Sequence, residues 1–148
     1  MTKDSENSKN EMFFDTSILV YAYTASDKEK TEIAKNLVKK VFNGEIIGCI
    51  SNQVLAELSY VLLEKFNGKI QDIDIIIQSL VSNVNWIKVN YDEKTVMRSV
   101  QILKSLTTSF FDVLISETMK ENGINKIVTE NERDFNKIPG IKIINPFK

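Results

Sequence analysis

Histidine is missing from all 148 positions of the chain. That single gap removes Ser-His-Asp triads, imidazole general bases and His-containing zinc sites from consideration. Cysteine occurs once, as Cys49, so neither an intramolecular disulfide nor a zinc ribbon can form. Its place in the apolar run 46–50 points to a small buried side chain rather than a nucleophile. With two prolines, five glycines, no internal repeat and no low-complexity linker, nothing marks a domain boundary. No apolar run approaches the ~18 residues of a membrane span, and no charged-then-apolar leader opens the chain. A cytoplasmic protein without membrane contact is therefore expected. Nor is there a surplus of either charge: the formal net charge is -1, so any contact with nucleic acid has to be local.

What remains is a chain that is 43% hydrophobic and 26% charged, enough apolar surface for one core and one domain. Any chemistry it performs must run on carboxylates, hydroxyls or lysines, with or without a metal. Residues 1–11 hold no large apolar residue after Met1 and read as a flexible arm, with the folded domain at 12–148. An apolar strand at 12–14 stops at Asp15, and a helix follows from near Ser17 to about Tyr23. Asp27 can cap a helix to Asn43 with Ile33, Leu37, Val38, Val41 and Phe42 as its apolar face. Lys28, Lys35 and Lys39 fall on its polar side, a solvated face with an RNA contact patch as the alternative. Residues 46–50 form a second strand, and a helix starting at Ser51-Asn52 buries Val54, Leu55, Leu58, Val61, Leu62 and Phe66 before Asn67-Gly68. Asp72 is expected to cap a helix carrying Ile73, Ile76, Ile77, Leu80 and Val84, ahead of a third strand at 86–89. Asp92 caps a helix with Val96, Val100 and Leu103 inward, and another helix runs over 110–121. Strands at 127–129 and 141–144 complete the chain. Strands separated by helices imply parallel pairing with right-handed crossovers, hence a three-layer α/β/α domain on a sheet of about five strands.

Four acids stand out against that framework. Asp15, Glu57 and Asp134 follow strands and belong at the sheet's carboxyl edge, where ligands gather. Asp112 begins a helix that returns to the next strand, so its helix start faces the same edge. Each acid has a plainer reading: Asp15 as a helix cap, Ser109 and Asp112 as a capping box, Glu57 as a rim residue, Asp134 as a turn former. Brought together, like charges cannot all stay ionised, and helix N-termini offset only part of the repulsion. A divalent cation offsets far more, and an all-oxygen ligand set suits Mg2+ or Mn2+. Phosphodiester hydrolysis is the reaction such a site serves most naturally.

Four stretches, in order, carry a resemblance: FFDTSILVYAY at 13–23, SNQVLAEL at 51–58, FDVLI at 111–115 and VTENERDF at 128–135. Together, across 12–147, they resemble the motifs of PIN-domain ribonucleases, particularly the VapC-type toxins of toxin–antitoxin pairs. The resemblance implies that Asp15, Glu57 and Asp112 hold the ion, with Ser17 supporting Asp15 and Thr129 orienting a carboxylate or water. Asn131 stands where many relatives carry Asp. Asp134 is then the fourth acid, completing the site or binding a second ion, with Glu130 and Glu132 as open substitutes. The activity implied is a Mg2+- or Mn2+-dependent endoribonuclease acting on single-stranded or looped RNA. Arg133, beside the site, is a candidate phosphate contact, and a surface ion pair with Glu130 or Glu132 is its alternative. The resemblance further implies a small antitoxin protein blocking the cleft, and a homodimer. Phe110, Tyr60 and Phe66 are interface candidates, although a core position is expected of each. Two other functions remain in play. One is a catalytically inactive RNA- or protein-binding module on the same fold, which the neutral Asn131 favours. The other is a phosphatase or receiver domain, against which no second Asp stands at the spacing such a phosphatase uses.

Overall fold

β1 (Glu11–Phe14) is a short apolar strand whose Phe13 and Phe14 are fully buried, and the rest of the molecule is arranged around it. The computed structural model describes residues 11–148; the arm expected at 1–11 lies outside them, except that Glu11 already pairs in β1. With β2 (Ile47–Ser51), β3 (Trp86–Val89), β4 (Lys126–Val128) and β5 (Lys142–Ile144) it forms a sheet in the order β3-β2-β1-β4-β5. Every pairing is parallel. Strands covered on both faces read as unbroken apolar runs, as Cys49 and Ile50 in β2 and Ile127 and Val128 in β4 do, all fully buried. Burial pushes the Cys49 thiol up to about 12, which leaves it inert as expected.

Seven α-helices connect and cover the described strands: α1 (Thr16–Tyr23), α2 (Lys28–Phe42), α3 (Asn52–Tyr60), α4 (Ile70–Ser82), α5 (Glu93–Ile102), α6 (Phe110–Glu121) and α7 (Glu132–Phe135). The result is the three-layer α/β/α architecture that the alternation of elements predicts. Among the described residues no helix is long and apolar enough to cross a membrane. Several helix starts are set by the side chains the sequence singles out. Asp27 accepts from the Lys30 N–H, Ser51 from the Val54 N–H, and Asp92 with Thr95 completes a capping box. Gly44, at φ 79, takes the left-handed turn that ends α2.

Other expectations are corrected. Asp72 does not cap its helix: α4 starts at Ile70 with Lys69 in the cap position, and Asp72 sits in the first turn, where the helix dipole still favours it. On α2 the buried row is Thr31, Ala34, Val38 and Val41, small enough for α1 to approach, and Ile33 is left partly exposed beside it. On α5 the buried residues are Thr95 and Ser99, while Val100 is exposed. Small hydroxyl side chains let α5 lie close to α6, where Arg98 pairs with Glu117 and Glu121. The helix after β2 widens into a π turn over Val61–Lys65, closed by the Phe66 N–H on the Val61 carbonyl. The wider turn breaks the 3.6-residue phase, so Leu62 is buried and Phe66 is exposed, as Tyr60 is. Phe110 is half-buried and stacks edge-on against the exposed Phe111. Val84 lies beyond α4, almost fully exposed.

The strand order has one consequence for function. From β1 the chain builds outward through β2 and β3, then returns to lay β4 and β5 on the other side. β1 and β4 therefore flank the point where the winding reverses, and a crevice opens beyond their carboxyl ends. The Asp15 N–H continues the ladder one step past β1 by donating to the Val128 carbonyl, at 3.0 Å.

Candidate active site

Asp15 begins the site because β1 ends there. Its backbone is extended, its side chain caps α1 through the Thr16 N–H at 2.9 Å, and its second oxygen accepts from Thr129 Oγ1 at 2.7 Å. Burial raises its pKa above the ordinary carboxylate range, opposed by these hydrogen bonds and reinforced by the charge of Glu57. Glu57 projects from α3. One of its oxygens accepts from Thr16 Oγ1 at 3.3 Å and the other from Gln53 Nε2 at 2.7 Å. The same Gln53 nitrogen reaches the Phe111 carbonyl at 3.3 Å, which ties α3 to the start of α6.

Asp112 sits in the first turn of α6, directly across from these groups. Its carboxyl is pushed up to about 7, first by burial and then by the charges of Asp15, Asp134 and Glu57. The three other predicted acids thus act on it at once, so all four share one electrostatic field. Asn131 links the last two. Its Nδ2 donates to Asp112 Oδ2 at 3.0 Å and to Asp134 Oδ2 at 3.2 Å, while its Oδ1 caps α7.

Asp15, Thr16, Ser17, Glu57, Asp112, Glu130 and Asn131 line an open cleft of about 490 Å³. Of the four predicted acids, Asp15, Glu57 and Asp112 face it directly, whereas Asp134 stands one residue behind and is reached through Asn131. The two substitutes considered for it are engaged elsewhere. Glu130 lines the cleft but is held by Lys30 and by the Tyr21 hydroxyl at 3.0 Å. Glu132 turns outward to Lys148 at 2.6 Å and Asn145 at 3.1 Å. The alternative considered for Arg133, an ion pair with Glu130 or Glu132, is not formed: its carboxylate neighbour is Asp134, at 3.7 Å, and 84% of its side chain is exposed. Ser17 Oγ is buried close enough to Asp15 to favour its charged form, yet completes no well-aligned hydrogen bond.

Two residues of the site lie outside the sequence-based set. Thr16 was hidden beside the more conspicuous Asp15. Gln53 was visible only as an i, i+4 neighbour of Glu57 on one helix face.

These groups fit a hard divalent cation. The donors are all oxygen, the carboxylates crowd one another, and the buried Ser17 hydroxyl has bonding capacity to spare. Among the described residues, however, no three Asp, Glu or Cys side chains stand where together they could hold a metal ion. Hydrogen bonds from Thr16, Thr129, Gln53 and Asn131 hold the carboxylates instead.

Residues 12–141 match the family model of the PIN domain. The chain belongs to the PIN-domain family. Among curated relatives, this PIN domain is 30% identical over 149 residues to Ribonuclease VapC2 of Methanocaldococcus jannaschii, covering 92% of this chain and 94% of the relative. Among solved structures it is similar to VapC20 of Mycobacterium tuberculosis, described as a sarcin-ricin loop cleaving toxin. That match has a TM-score of 0.71 at 18% identity and covers 90% of this chain and 99% of the other. It is also similar to the DNA-bound VapBC of Salmonella typhimurium, with a TM-score of 0.64 at 21% identity over 92% of this chain and 98% of the other.

Proposed function

We propose that this PIN domain is a Mg2+- or Mn2+-dependent endoribonuclease that cleaves single-stranded or looped RNA, and that it is the toxin of a type II toxin–antitoxin pair. The observation that carries the reading is the shared field at Asp112, whose carboxyl is pushed up to about 7 by burial and by the other three acids. Carboxylates held this close are tolerable at neutral pH with a doubly charged ion among them. The similarity to a ribonuclease of the VapC type supports RNA as substrate. The likeness to a VapC toxin and to a VapBC assembly supports a protein partner of the antitoxin kind; a homodimer and a cytoplasmic site of action complete the proposal.

In this reading Asp15, Glu57 and Asp112 would hold the cation, with Asp134 backing Asp112 through Asn131. When bound, such an ion would supply Lewis acidity toward phosphate oxygens and make water a better nucleophile. Thr129 and Thr16 keep Asp15 and Glu57 in place, Gln53 aligns Glu57, and Ser17 backs Asp15. Arg133, largely exposed and only loosely paired with Asp134 at 3.7 Å, would exchange that partner for substrate phosphate at the rim. The test is cleavage of total RNA with Mg2+ or Mn2+. Asp15→Asn and Asp112→Asn should each abolish it without lowering the melting temperature, and undiminished cleavage by both variants rejects the proposal. A second reading, an inactive binding module, is favoured by the neutral Asn131 between Asp112 and Asp134. Calorimetric titration separates the two, because a module with a degraded site takes up no Mn2+ at near-millimolar concentration.

A further inference from the structure

The cleft is lined by carboxylates, and its substrate in the proposed reading is a polyanion. Beyond the ion and Arg133, a cationic side chain on the cleft wall would lower the repulsion the strand meets as it enters. Lys30, at the start of α2, is bonded to Glu130, which forms part of the cleft wall. Its ammonium also lies over two rings, 5.3 Å from the centroid of Tyr21 and 5.4 Å from that of Phe147. The two rings stack edge to face at 5.3 Å, so they form a firm seat joining α1 to the end of the chain.

We propose that Lys30 is a substrate-positioning residue that binds a backbone phosphate of the RNA at the cleft mouth, exchanging Glu130 for that phosphate while Tyr21 and Phe147 hold it in place. The inference rests on the endoribonuclease reading and names a contact within the same site. Three features make the exchange inexpensive. The lysine side chain is 34% exposed, so a phosphate reaches it without entering the core. Glu130 retains the Tyr21 hydroxyl when the lysine leaves, and is not orphaned. The ammonium retains both rings, which fix its position whichever anion it meets. The simpler alternative is a structural staple that ties α2 to the loop after β4, with no part in binding.

The two predict different kinetics. The substrate is a fluorophore–quencher oligoribonucleotide bearing the cut site identified by sequencing fragments of total RNA, cleaved in the presence of Mn2+. Lys30→Gln should raise KM several-fold with kcat little changed, and should flatten the dependence of log kcat/KM on log salt by about 0.7, the share of one phosphate contact on a single strand. Lys30→Arg should restore most of both. Glu130→Gln should move KM in the opposite direction, because it frees the lysine and removes a negative charge from the wall. Unchanged KM and salt slope in Lys30→Gln, or parallel losses in Lys30→Gln and Glu130→Gln tracking a common fall in melting temperature, overturn the proposal and leave the nuclease reading standing. No cleavage by the wild-type protein overturns the nuclease reading itself, and this inference with it.

Discussion

At Asp112 a single carboxyl group reports on three others. Its pKa in the folded protein, about 7, lies far above the ordinary value of 3.8, so the folded state holds a proton that the unfolded chain releases early. The sign follows from linkage. The stabilisation is full in acid, below the unfolded pKa, and is lost as pH rises through the folded one. Buried Asp15 is shifted in the same direction and adds to the slope. The melting temperature of the metal-free protein should therefore fall as pH rises from about 4 to about 7 and level off above that, followed by differential scanning fluorimetry. Asp112→Asn should flatten that fall and raise the melting temperature above pH 7, at the same time as it removes activity. A flat profile for the unsubstituted protein would show that the acids do not share a field. At this scale Asp15 and Asp112 were legible because they lie at a strand end and a helix start, and Glu57 because it borders the apolar face of the helix after β2. Their hydrogen-bond partners were less so. Asn131 reaches Asp112 across 19 residues and Gln53 reaches Phe111 across 58, distances that only tertiary packing closes.

Among the elements, β2 shows how little slack positions the cleft. A Cβ placed on Gly48 would stand 2.8 Å from Trp86 and 2.8 Å from Val41, so the strand lies against a ring and a helix at the closest approach a backbone allows. Gly48→Ala should cost about 1–3 kcal/mol, the range for overpacking a filled core, measured as a shift in the urea midpoint. Because β2 leads into α3 and Glu57, Mn2+ affinity should fall with it. Helix starts at Asp27, Ser51 and Asp92 were legible because capping is local chemistry. The inward face of α5 was not, since Thr95 and Ser99 are buried for their size and not their hydrophobicity. Phe66 was misread for another reason: the π turn before it shifts the helical phase, and no composition signal marks such a turn.

For the molecule as a whole, the strand order matters more than any one element. It sets β1 beside β4 and opens the crevice where the winding reverses, so acids from four separate regions reach one place. That layout was readable from alternating strands and helices, whereas the position of Asp134 behind Asn131 was not, because it depends on the short α7. A ligand taken up only by the folded form stabilises it by mass action, about 2.7 kcal/mol at a hundredfold excess over Kd. Mn2+ should thus raise the melting temperature in a concentration-dependent way at pH 7.5. It should do so far less in Asp15→Asn, and a calorimeter in two buffers should detect proton release on binding.

The hydrogen bond from Thr129 to Asp15 spans 114 residues of chain. During synthesis the first acid leaves the ribosome long before its partner strand exists, and non-local contacts of this kind form late. A nascent copy truncated at residue 125 lacks both Thr129 and Asn131 and should not take up Mn2+, so the cleft stays unfinished until nearly all of the chain has been made.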